Sequence, residues 1–284
     1  MKKLALTSLL AVFAVSGAHA ANVIDGNPLY MPGQNHFYSV TSLGSHTEND
    51  TPWSLGEEFG YGIMDNLAIN ITTKATENKA FDDVEWDDVK FGVAFRALDK
   101  DGWKMDLVGA YGFDNLYNHP RPKSQDSWFD KDLTNYTWTA GVRGGYTTSD
   151  WTVAAKALFN YTNSESFNWN EDKGKMGVHT LTLGVDGQYV FDSNWSVLAG
   201  VEYTGYLDDE YKGKPGAKIE NAGTWTATAG VNYNIDATKF VGAYVNGTMT
   251  HWKGEDAFAV TPASEKGWDF KDGFGFGAKF GIDF

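Results

Sequence analysis

The chain has 284 residues, a formal net charge of −14 and no cysteine. Without disulfides, core burial or a membrane has to hold an exported chain together, and the acidic balance disfavours a basic surface for nucleic acid. The 32 Gly, 18 Phe, 14 Tyr and 11 Trp against 7 Pro point to β-structure.

In chain order, Met1, Lys2 and Lys3 precede an apolar run from Leu4 to about Val15, and Ala18-His19-Ala20 follows. A charged head, an apolar stretch and a small-x-small site make residues 1–20 a cleavable signal peptide, with a mature start at Ala21. The run is short of the roughly 20 residues a spanning helix needs. Residues 21–35 read as a segment ahead of the first strand. Their run Asn27-Pro28-Leu29-Tyr30-Met31-Pro32 is distinctive but suggests no chemistry by itself.

From residue 36 onward the period is two. Between Trp195 and Tyr203, one face carries Trp195, Val197, Ala199, Val201 and Tyr203, and the other Ser196, Leu198, Gly200 and Glu202. The same alternation predicts strands over 36–45, 53–63, 67–76, 88–98, 103–113, 134–146, 151–162, 178–191, 195–206, 223–235, 239–251 and 273–284. Short connections of turn chemistry fall at Asp65-Asn66, 99–102, 147–150, 192–194 and 236–238. Long ones cover 46–52, 77–87, 114–133, 163–177, 207–222 and 252–272. Strict short–long alternation is what an up-and-down barrel needs when both termini lie on one side. The predicted fold is therefore all-β: a transmembrane antiparallel up-and-down barrel of about 12 strands over 36–284.

A large apolar residue opens the strand after each short turn. Trp103, Trp151, Trp195 and Phe240 recur at near-constant spacing and read as an aromatic girdle at one membrane interface.

The signal, the alternating strands and the ending Phe274-Gly275-Phe276-Gly277-Ala278-Lys279-Phe280-Gly281-Ile282-Asp283-Phe284 resemble Gram-negative outer-membrane β-barrel proteins of the porin type. The resemblance implies residence in the outer membrane, with short turns and the 21–35 segment on the periplasmic side. It also implies that the terminal aromatic and the alternate apolar positions before it, Phe280, Ile282 and Phe284 above all, are read by the barrel-assembly machinery. Lipid and lipopolysaccharide would surround the barrel, and small hydrophilic solutes would be its cargo.

If the apolar face meets lipid, the other face lines the lumen. Inward cations would be Lys74, Lys90, Arg96, Lys104, Arg143, Lys156 and Lys279; inward acids would be Glu58, Asp106, Asp186 and Glu202. Most of the acids lie outside the basic arc, which predicts opposed charged walls and a tolerance for anionic solutes. Salt bridges filling a closed interior are the competing reading, and the inward glycines fit either open space or relief of curvature. The reading is thus a passive channel, with a structural or surface-interaction barrel as the alternative.

The external loops are acidic: Glu77, Asp82, Asp83, Glu85, Asp87 and Asp88 cluster without the spacing of a calcium loop, so no metal or cofactor is expected. His119-Pro120-Arg121-Pro122-Lys123 sits in the longest loop and could constrict a pore. A barrel hydrolase is disfavoured. Outer-membrane phospholipase A places a His two residues before its Ser, whereas none of His36, His46, His119, His179 and His251 is followed two positions on by Ser.

Overall fold

The computed structural model describes residues 27–46, 53–77, 84–115, 134–167, 173–191, 194–207, 220–236, 238–253, 267–269 and 274–284. The expected signal peptide, Asp82 and Asp83 of the acidic cluster, and the loop with His119 lie outside them, whereas Glu77 ends one described strand and Glu85, Asp87 and Asp88 lie on the next.

The strands are β1 (Phe37–His46), β2 (Trp53–Met64), β3 (Leu67–Glu77), β4 (Val84–Lys100), β5 (Trp103–Asn115), β6 (Thr134–Thr147) and β7 (Trp151–Phe167). Then come β8 (Lys173–Val190), β9 (Trp195–Tyr206), β10 (Glu220–Asp236), β11 (Lys239–Lys253), β12 (Gly267–Asp269) and β13 (Phe274–Asp283). Each long strand pairs antiparallel with its neighbours in sequence, and β13 pairs with both β11 and β1. The wall is a closed barrel of twelve strands, because β12 pairs only with the end of β11 as a short addition to it. Closure leaves the wall no open edge, which hydrocarbon would not tolerate.

The twelve expected strands are all present. Several run further than alternation predicts, because the ladder persists where the residues turn polar. Asn163↔Gly177 and Glu165↔Lys175 carry β7 and β8 beyond the expected ends at 162 and 178. Phe284 completes the closure through its backbone: its N–H donates to the Phe37 carbonyl at 2.8 Å, and Phe37 N–H donates back at 3.3 Å.

The outer face is a near-continuous apolar surface: Phe91, Val93 and Phe95 on β4, Val185 and Leu183 on β8, and Phe276 and Phe280 on β13 are exposed. In water such a surface would aggregate; in lipid it is the required exterior. Beside the short turns, Trp103 packs on Tyr146, Tyr146 on Trp151, and Trp195 on Tyr233.

Two placements depart from expectation. Phe240 is not in this outer row but faces inward at 2% exposure, packed with Tyr38 and Val40. Within β11 the exposed apolar positions are Val241 and Val245, so period two places Phe240 on the opposite, inner face. Lys239, with its ammonium on Asp236 at 3.0 Å, opens β11 instead, and the Phe240 ring lies over Gly281, where a Cβ would overlap it. The second departure is the segment ahead of β1. It does not stand outside the barrel: residues 27–34 enter the mouth at the short-turn end, with Leu29 at 0% exposure and Pro32 fully buried.

Candidate functional site

All the expected lumen residues on the described strands share the inner face, but they form neutralised groups and not two opposed walls. Three neighbouring strands put Arg96, Asp106 and Arg143 in one row, since Arg96↔Asp106 and Asp106↔Arg143 are register partners. Asp106 is fully buried and accepts from Arg96 Nε at 2.8 Å and Arg143 Nε at 2.8 Å. Asp99, at the turn, reaches Arg96 at 3.5 Å and Lys104 at 3.7 Å.

The row continues as Arg143↔Lys156, Lys156↔Gly184 and Gly184↔Glu202. Gly184 has no side chain to obstruct Lys156, which lies across it and reaches Glu202 at 2.6 Å and Asp186 at 3.5 Å. Across the lumen, Glu58 accepts from the Tyr38 hydroxyl at 2.6 Å and from Asn70 at 3.1 Å. The Lys279 ammonium stands 5.0 Å from the centre of the Tyr244 ring, a cation–π contact. Lys74 is buried on β3. These pairings bear on the charge question: Arg96, Asp106, Arg143, Lys156 and Glu58 are tolerated inside because each meets an opposite charge or hydrogen-bonding groups.

The inward glycines also receive an explanation that neither open space nor curvature supplied. A Cβ at Gly60 would overlap the Tyr38 ring, and one at Gly62 would overlap the Gly33 carbonyl. The missing side chains are spaces already taken by neighbours.

The mouth on the short-turn side is occupied by the N-terminal segment. Arg96 Nη2 donates to the Leu29 carbonyl, and Arg143 Nη2 donates to the Tyr30 carbonyl at 2.9 Å. Tyr30 donates to Asp283 at 3.3 Å and meets Tyr38 edge-on. Burial, and then the Asp283 carboxylate, push the Tyr30 phenol well above its usual range, so it remains a neutral donor. Asn27 closes the Leu29 amide with its side chain at 2.8 Å and reaches Thr147 at 3.5 Å. At the other end Gln34 N–H donates to Asp65 at 3.2 Å, and Asn35, at φ 65°, turns the chain into β1.

Above this segment lies a cavity of about 150 Å³. Tyr30, Met31 and Pro32 line it together with Glu58, Lys90, Arg143, Lys156 and Glu202. Further towards the long loops, the inner face of β6–β9 becomes uncharged. Thr139 donates to Asn160 at 2.8 Å, Asn160 to Thr180 at 3.3 Å and to Thr182 at 3.4 Å, and Thr182 meets Thr204 at 2.9 Å.

One residue escaped the sequence reading. Glu57 lies on the outer, lipid side of β2, where its oxygens accept from Ser39 and Thr41 at 2.6 Å each. Placing Glu58 inward forces its neighbour outward, so the alternation itself carried that signal.

No protein-family model matches the chain, and a search of curated proteins gives no match. Solved structures do. The NanC porin aligns with a TM-score of 0.52 at 10% identity, covering 86% of this chain and 98% of that one. An outer-membrane channel from Pseudomonas putida aligns with a TM-score of 0.52 at 10% identity, over 90% and 97% of the two chains. By fold this is an outer-membrane β-barrel. The translocator domain of the autotransporter NalP from Neisseria meningitidis, with a TM-score of 0.52 and 11% identity over 98% and 97% of the chains, shares the architecture. The apolar exterior and the closed wall are those of a barrel set in a membrane. The likeness is one of fold.

Proposed function

We propose that this barrel is a narrow, porin-like channel for passive diffusion of small hydrophilic solutes. The observation that carries the reading is the lumen itself: a cavity of about 150 Å³ inside a closed wall, with Glu58, Lys90, Arg143, Lys156 and Glu202 set among apolar residues of its lining. A space of that size with such groups in its wall holds several waters. An anionic preference loses support, since along the row the three cations Arg96, Arg143 and Lys156 are matched in number by Asp106, Asp186 and Glu202. Charge selectivity is weak. Lipid and lipopolysaccharide surround the barrel, and the assembly machinery reads Phe280, Ile282 and Phe284, the first and last of which are exposed on the outer face. A hydrolase reading gains no support from His179, which stacks on Phe159 and Tyr161 with Leu181 two positions on.

Single-channel recording in planar bilayers tests this. Small steps with a reversal potential near zero in a salt gradient are expected; refolded protein that neither conducts nor lets liposomes swell overturns the reading. The occupied mouth favours a second reading, a closed barrel acting through its outer surface, and electrical silence is its signature.

A further inference from the structure

We infer that the constriction of this channel is made by the chain's own N-terminal segment. Leu29 to Gly33 narrows the periplasmic mouth and limits the size of solute that passes, and Arg96 and Arg143 are the residues that position it. This inference rests on the channel reading.

The segment is fixed to the wall on several sides. It is tied to β4 through Arg96, to β6 through Arg143 and Thr147, to β13 through Asp283, and to the β2–β3 turn through Asp65. The Asn35 N–H also donates to the Gly62 carbonyl at 2.8 Å. A guanidinium has five donors in a rigid fork. The two arginines can therefore bind Asp106 and still donate to a passing carbonyl. Their charges thus serve the segment's backbone, not a solute.

The sequence of the segment suits a path without a ladder partner. Pro28 and Pro32 are buried and carry no N–H to satisfy. The Leu29 and Tyr30 amides are both closed on Asn27. The wall is shaped for it as well, because any side chain at Gly62 would strike the Gly33 carbonyl. Tyr30, Met31 and Pro32 form the floor of the cavity, so a solute leaving for the periplasm has to pass them. β8–β10 turn Gln188, Ser196 and Asn232 inward, where they are buried.

The test compares three full-length proteins: the natural chain, the double variant Leu29→Ala/Tyr30→Ala, and Gly62→Val, which displaces the segment without altering it. Heat-modifiable mobility on gels confirms that each barrel is folded. The readouts are single-channel conductance and liposome swelling in neutral sugars of increasing size. We expect both variants to conduct several-fold more than the natural chain and to admit larger sugars. A natural chain that is silent beside conducting variants shows a plugged barrel, which overturns the channel reading and with it the claim that the segment sets a size limit for solutes. Equal conductance and an equal size limit in all three overturn it and leave the channel reading standing. If all three folded barrels are silent, the channel reading falls and takes the inference with it.

Discussion

The two halves of the lumen solve the same problem in different ways. Both must bury polar groups inside a barrel whose exterior is apolar. The half beside the short turns uses charge, with an aspartate shared by two arginines and a lysine shared by two acids, and it recruits backbone carbonyls from the N-terminal segment. The half of β6–β9 towards the long loops uses threonine and asparagine hydroxyls and amides passed from strand to strand. Charge gives strong, directional attachment, which a segment without secondary structure requires. Uncharged hydrogen bonds suffice where the wall holds only itself.

The largest effect should come from breaking the charged half. Asp106→Asn removes the carboxylate between two buried guanidiniums, a loss expected to cost about 3–5 kcal/mol. Urea unfolding in detergent micelles should show it as an earlier midpoint. Next is Leu29→Ala: a fully buried leucine lost from a segment, not from a strand, should loosen the segment by about 2–3 kcal/mol. Limited proteolysis near residues 27–34 should accelerate while the barrel's own unfolding midpoint hardly moves.

Lys156→Met leaves Asp186 and Glu202 without their shared cation. The reversal potential in a salt gradient should then shift towards cation preference; an unchanged or anion-directed shift would show that this cluster does not face the conducting path. In the uncharged half, Thr182→Val breaks single hydrogen bonds and should cost only about 1 kcal/mol. The smallest effect belongs to the exterior. Glu57→Leu replaces a carboxylate facing lipid, and its unfolding midpoint should hold or rise slightly.

Period-two alternation made the wall and its inner face legible in the sequence. Lys156, Glu202 and Glu58 needed only their phase within a strand. The Arg96–Asp106–Arg143 row needed register as well, which hairpin turns and bulges set. The bulge between Arg96 and Leu98 is a one-residue shift that alternation does not show. Phe240 was misplaced because aromatic spacing was weighed above phase. The fate of Asn27 to Pro32 was hidden for a different reason. Its contacts are backbone carbonyls meeting guanidiniums from strands far along the chain, and carbonyls carry no residue-specific signal. Its two prolines and its lack of alternation marked it as non-strand, but nothing in that pattern points into a lumen.

The central claim is that this segment occupies the mouth of the barrel, and a cross-link tests it most directly. The natural chain has no cysteine, so Asn27→Cys/Thr147→Cys introduces a single pair of thiols where the native side chains stand 3.5 Å apart. A short bifunctional thiol reagent applied to the folded barrel should join the two positions, seen by mass spectrometry as one linked peptide pair. Folded protein in which both thiols react separately with a maleimide and never with each other would contradict the account.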